Sequence, residues 1–414
     1  MPAHGTRRRA VRRRRTTTVL AAALVLSAGA CTVDDAWGGD QGVAAPSAGS
    51  RAAVPVLEVE VGDEPLVRRN VKDLSADERR RFVDAVKALK ATPSPHGDGV
   101  GNWYDRFVAM HLSKLICWSD EDGVGGYGHN GPDLITWHRA FLRDFEQALS
   151  TVSGSPIALP YWDWTDPDST EAVFAEDFMG PLGDPDENFA VTAGPFAADV
   201  WTIHVKGFEV HNPGQFDHIV RANTSDATLP TSDDVDEALR KPEYDVAPWS
   251  IVADDQQSFR SWVDGNIGAT GTECTGGVLQ NVGMHDSRIH GAVHMWVGGS
   301  TDDGDPGTLA DTLTSPNDPV FWLHHAAIDR LAESWWVLND WEYAPDGEGP
   351  DGENRDDAIW PYDEFTNGDM ARPTVELGYL YDRLIEPTDR SGEAAAPPTP
   401  SGRHGAHGTA SGTG

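Results

Sequence analysis

The residues with the most chemical potential in this chain are histidines, and their spacing sorts them into groups. His290 and His294 stand four apart in the apolar run IHGAVHMWV, so on a helix they project from one face, one turn apart. Further on, in SPNDPVFWLHHAAIDR, His325 has Asp329 one turn beyond it. An earlier stretch repeats the arrangement: His111 lies in FVAMHLSKL, and His129 and His138 lie in GHNGPDLITWHRAFLRDFEQAL. Three imidazoles with neither Cys nor carboxylate at ligand spacing describe a nitrogen-only site, which favours copper or zinc over calcium or magnesium. Two such groups imply two metals. An iron site of two histidines and one carboxylate, from His290, His294 and Asp286 or Asp329, would leave the earlier group unexplained.

Dioxygen reacts sluggishly with closed-shell organic molecules, and a pair of Cu(I) ions can pass it two electrons together. Each copper then needs neutral nitrogen donors and an open position. Helices are the natural support, two antiparallel pairs aiming side chains at a bundle centre. The pattern supplies them: Phe141, Leu142, Phe145 and Leu149 recur at helical spacing behind His138, Tyr104 to Ile116 presents His111, and Pro319 to Leu338 presents His325. The reading is therefore a mainly α protein, a four-helix bundle with long loops and a few short strands.

These residues carry a family resemblance. HNGPDLITWHRAFLRDFE is similar to the first copper signature of tyrosinases, catechol oxidases and haemocyanins, with Leu134 where that family usually has Phe, and DPVFWLHHAAID, from Asp318 to Asp329, fits the second without a mismatch. The resemblance spans roughly residues 55 to 385. It implies a binuclear (type 3) centre of two copper ions, the first held by His111, His129 and His138 and the second by His290, His294 and His325. It places the ligand of the His324–His325 pair at His325. Successive helical residues diverge by about 100°, so His324 is expected at the cavity rim or beside an outer acceptor. Asp329 either orients a ligand or helix or is an exposed acid. Tyr127, two residues before His129, excludes the Cys–His thioether of some relatives. His96, His204, His211, His218 and His285 read as structural or surface residues, and His404 and His407 as part of a solvated tail.

The implied activity is oxidation of phenolic small molecules by O2. In related tyrosinases an Asn after the first histidine of the second site, with a nearby Glu, is thought to hold the water that takes the phenol proton. Here that position is Gly291, and Val282 and its neighbours offer no Glu upstream. The expectation is oxidation of o-diphenols or o-aminophenols with weak or no monophenol hydroxylation, and room for bulky substrates at Gly291. A true tyrosinase with monophenolase activity and a haemocyanin-like oxygen binder are the alternatives. No capping domain is evident, and some bacterial relatives use a separate copper chaperone, which this chain could share.

The formal net charge of −34, despite seven arginines and no acid in the first thirty residues, disfavours nucleic acid as a partner. Residues 1–31 resemble an export signal: Arg7 to Arg15, the apolar Val19 to Leu26, then Ala-Gly-Ala-Cys31. Arg14-Arg15 suits a twin-arginine signal and Cys31 a lipobox, giving an exported, extracellular or lipid-anchored bacterial protein; ordinary cleavage with an incidental Cys31 is the alternative. Export would permit a disulfide between Cys117 and Cys274, with two free buried thiols the alternative. Residues 32–54 read as a flexible tether, 55–385 as the copper domain and 386–414 as a disordered tail. Between these, Val54 to Val61 suggests an edge strand, Ser75 to Glu78 a capping box, Gly123 to Gly128 a loop, Ala158 to Trp164 an aromatic segment packed under the metals, 165 to 250 loops with short strands, and Gln256 to Val263 a helix with Trp262 inward.

Overall fold

Four helices form the frame: α2 (Trp103–Lys114) and α3 (Leu134–Ser153) carry His111 and His138 of the first histidine group, and α7 (Ile289–Gly298) and α8 (Val320–Leu338) carry the second. The computed structural model describes residues 64–388 except 98, 116–117, 121–122, 126–127, 208–214 and 276–277. The expected leader, Cys31, the tether, the 54–61 strand, Cys117, Tyr127, His211 and the tail beyond 388 lie outside the described residues.

The chain enters through β1 (Leu66–Arg68) and α1 (Ala76–Ala91), which begins at the expected capping box: Ser75 accepts from the Glu78 N–H and Glu78 accepts from that of Ser75. α2 (Trp103–Lys114) follows, then the short antiparallel β2 (Trp118–Asp120) and β3 (Gly123–Gly125) where a loop was expected. The two strands are close enough in sequence for a local hairpin to satisfy the glycine backbone. α3 (Leu134–Ser153) starts one turn before His138 and ends at Gly154, whose φ of +66° closes the helix.

Among the described residues of 165–250, helices and isolated β-bridges stand in place of the expected short strands. Asp166 with Pro167 caps α4 (Pro167–Val173), and a Thr231/Asp234 capping box starts α5 (Ser232–Leu239). α6 (Phe259–Asp264) buries Phe259 and Val263 but leaves Trp262 only partly buried. The Trp262 ring instead meets the Lys241 ammonium at 3.7 Å and the Arg288 guanidinium at 3.9 Å.

Two nested antiparallel pairs separate α6 from α7. The outer pair is β4 (Asn266–Ile267) with β7 (Asp286–Ser287), and the inner is β5 (Gly271–Thr275) with β6 (Val278–Val282). α7 (Ile289–Gly298) and α8 (Val320–Leu338) follow, then β8 (Ala358–Ile359), β9 (Tyr362–Thr366), α9 (Asn367–Met370) and β10 (Tyr379–Tyr381). β10 pairs in parallel with β1, Leu66 opposite Tyr379, so the end of the domain closes on its start.

Aromatic packing joins the helices. Phe145 on α3 stacks on Trp322 of α8 with ring centroids 3.5 Å apart, and Phe107 on α2 meets Phe141 at 5.6 Å and Trp322 at 5.7 Å. Below them Asp329 is buried between Arg68, 3.0 Å away, and Arg139, and accepts from the Tyr379 hydroxyl at 2.7 Å. Asp329 is thus not an exposed acid. Burial alone would raise its carboxyl, but Arg139 and Arg68 hold it below the usual carboxylate range.

Candidate metal centre

His111 comes from α2, His138 from α3, and His129 from the turn between them. Asp133, ahead of α3, closes that turn by accepting the Gly128 N–H. The donor atoms of the three histidines lie within 4.8 Å of one another. His290 and His294 rise from one face of α7 and meet His325 of α8, again within 4.8 Å. The groups adjoin: His138 and His325 stack with centroids 4.1 Å apart and planes 10° from parallel.

His324 departs from expectation. It is fully buried, its ring is parallel to that of His290 at 5.7 Å and edge-on to Trp164 at 5.4 Å, and it belongs to the second group. The angular divergence from His325 holds, but α7 stands where both rings reach it, so His324 is not at a rim but buried beside the His290 backbone. Trp164 shows the aromatic segment packing against this histidine, as expected.

The ring nitrogens that do have partners fix the tautomers. His111 Nδ1 donates to the Leu313 carbonyl at 3.1 Å, His138 Nδ1 to Leu134 at 2.7 Å and His294 Nδ1 to Leu309 at 2.8 Å, so each keeps an Nε2 lone pair. His290 Nδ1 faces Asp264 Oδ1 at 3.4 Å. On the other side of these rings, His138 Nε2 and His290 Nε2 are buried with no protein partner, as are His129 Nδ1, His325 Nδ1 and both nitrogens of His324. Buried polar atoms without partners are costly, and neutral imidazole lone pairs gathered this way fit copper.

Electrostatics agrees. Burial pushes His111 down to about 4, and burial together with neighbouring imidazoles holds His129, His138, His294, His324 and His325 well below the ordinary value. These rings are neutral at pH 7, the state in which imidazole binds metal.

Sequence reasoning missed two kinds of residue. Leu309 and Leu313 orient one histidine of each group through backbone carbonyls, which leave no side-chain signature. Asp264 is a buried carboxylate beside His290, 26 residues before it in sequence. The β4–β7 insertion hides that neighbourhood from any short upstream search. At Gly291 a Cβ would lie 3.0 Å from Ser287 Cβ, so this side is lined by Ser287 rather than open for bulky substrates. His285 is exposed, His204 pairs with Asp105 and His218 with Asp217; neither metal group includes them.

A helical bundle that presents two adjoining groups of histidines, most of them buried and neutral, defines the binuclear copper class of protein. The family model for the common central domain of tyrosinase matches residues 101–338. The chain is 36% identical to a tyrosinase of Streptomyces lincolnensis, covering 76% of this chain and 98% of that protein, and 32% identical to grixazone synthase of Streptomyces griseus subsp. griseus, covering 65% and 83%. A polyphenol oxidase structure from Thermothelomyces thermophila shares the fold at a TM-score of 0.50 and 23% identity, over 78% of this chain and 89% of that one. The protein belongs to the tyrosinase family.

Proposed function

We propose that this enzyme oxidises o-diphenols and o-aminophenols with O2 and hydroxylates monophenols weakly or not at all. His111, His129 and His138 would hold one copper, and His290, His294 and His325 the other. Bound copper supplies the redox chemistry: two o-diphenols yield two o-quinones while one O2 is reduced to two waters. The protein's own contribution is to keep the imidazoles neutral, to fix their orientation through the Leu134, Leu309 and Leu313 carbonyls, and to exclude water with Phe321, Phe141 and Trp137, which pack against the rings.

The observation that carries the diphenol preference is Gly291. It offers no amide to hold a water, and Asp264, the carboxylate beside His290, already has Arg260 3.6 Å from Oδ2. Asp264 also favours the second reading, a true tyrosinase, because its Oδ2 is buried and has no hydrogen-bond partner. Oxygen uptake by copper-loaded protein, given a monophenol and the matching o-diphenol, separates the two. Uptake with the diphenol alone supports the preference. Prompt uptake with both, falling in Asp264→Ala for the monophenol only, supports the second.

Export with lipidation at Cys31 is part of the same proposal. Cys274 is disulfide-bonded, which suits an oxidising compartment. Mass spectrometry of the mature N-terminus tests the anchor; an unmodified terminus downstream of Cys31 removes it.

A further inference from the structure

His129 differs from the other proposed ligands in standing on a turn, and something other than a helix must hold it. The next residue, Asn130, has a φ of +63°, a left-handed conformation that Asn tolerates better than most residues. Its side chain enters a closed ring of three amides. Asn130 Nδ2 donates to Asn281 Oδ1 at 2.8 Å, Asn281 Nδ2 donates to Asn266 Oδ1 at 3.2 Å, and Asn266 Nδ2 donates back to Asn130 Oδ1 at 3.3 Å. Within the ring each amide gives one bond and takes one; Asn281 Nδ2 also donates to Met284 Sδ at 3.8 Å, outside it. Reversing any single amide would set donor against donor at one join and acceptor against acceptor at the other, so the ring specifies all three orientations together.

The three residues come from three segments. Asn266 begins β4, two residues after the Asp264 that faces His290, and Asn281 lies on β6. The β5–β6 hairpin is itself anchored. The Leu279 N–H donates to the Leu115 carbonyl at 3.1 Å, at the end of the helix that carries His111, and buried Val278 packs with Leu115 and Leu313 in an apolar cluster apart from the main core. The turn is held elsewhere too: the Asn130 carbonyl accepts from Arg260 at 3.4 Å, and a Cβ at Gly131 would lie 2.3 Å from Glu353 Oε2. The amide ring is the connection that a side-chain substitution far from the histidines can release.

We propose that Asn130, Asn266 and Asn281 are positioning residues: their ring straps the hairpin to the His129 turn and sets how firmly the first copper, but not the second, is retained. The inference rests on His111, His129 and His138 being the ligands of one copper.

The test uses the full chain loaded with two equivalents of copper and follows their release to a copper(I) chelator under reducing conditions. In Asn281→Ala one equivalent is expected to leave about five- to tenfold faster while the other keeps its wild-type rate, the size expected for losing two partly solvated amide bonds. Asn281→Asp should fall between, since its carboxylate still accepts from Asn130 but cannot donate to Asn266. Val278→Ala, which loosens the hairpin's apolar packing and leaves the amides in place, separates general loosening from the ring; a larger single-equivalent effect there than in Asn281→Ala overturns the proposal. So does release of both equivalents at a common faster rate in Asn281→Ala, or no change in either. Wild-type protein that binds fewer than two equivalents would show the ligand assignment itself to be wrong, before any substitution, and would overturn the proposal with it.

Discussion

The two histidine groups solve one chemical problem with different mechanical means. In the second, every imidazole rises from α7 or α8, and the helix periodicity that buries the neighbouring Val293, Phe321 and Ile328 also aims the rings. In the first, two imidazoles come from helices and the third, His129, from a turn closed by Asp133 and strapped by amides. Their outer partners differ as well. The described partners in the first group are backbone carbonyls alone, whereas the second adds the Asp264 carboxylate at His290. A helix-borne ligand inherits its position from the core, while a turn-borne ligand depends on local bonds that water can compete for. Rigidity should therefore be unequal across the pair even though the donor chemistry is the same.

The largest effects should erase that difference. Alanine at His111, His129, His138, His290, His294 or His325 should remove one copper equivalent and more than about 100-fold of o-diphenol-driven oxygen uptake, since losing a ligand should exceed the effect of losing an outer partner. Metal analysis beside an oxygen electrode checks it, and full copper retention in His294→Ala would undo the assignment. Copper-free protein should likewise treat both groups alike. His111, His129 and His138 of the first group and His294 and His325 of the second are held below the ordinary value, so the unfolded chain takes up protons first as pH falls. Stability from these groups is complete above about pH 6.5 and is lost progressively toward pH 4. Unfolding of the copper-free protein by about pH 4, followed by circular dichroism, is the expected result; an acid-resistant copper-free fold would contradict it.

Asp329 lies where the two groups share a foundation, because Arg139 follows His138 directly and Asp329 stands one turn after His325. Asp329→Ala leaves Arg68 and Arg139 buried with one carboxylate fewer and should destabilise the protein by about 3–5 kcal/mol, read from denaturant midpoints, with neither copper lost preferentially. Asp264→Ala sharpens the contrast instead. Copper affinity should fall about 10–100-fold at one equivalent only, and equal weakening of both would mean that Asp264 does not act through His290. The smallest change is expected from Gly291→Asn. Ser287 is close enough to crowd the new side chain, so any gain in monophenol uptake should stay within about tenfold, measured against unchanged o-diphenol uptake.

Much of this molecule was written locally. The spacing of His290 and His294, the apolar run around His325 and the Ser75–Glu78 cap are short-range patterns, and a helix converts such patterns directly into a face and a direction. The six proposed ligands could therefore be named without coordinates. What local pattern could not convey is which distant segments meet. Asp264 reaches His290 across an insertion, two leucine carbonyls between α7 and α8 orient imidazoles of different groups, and His324 turns inward only because α7 stands beside it. Three asparagines far apart in sequence close one ring. Backbone acceptors carry no residue signature, and long-range contacts have no period in the chain. The sequence by itself determined the proposed donor set and the helices that bear five of its six members. Tertiary packing decided the partners of each ring, and through them how firmly each metal would be held.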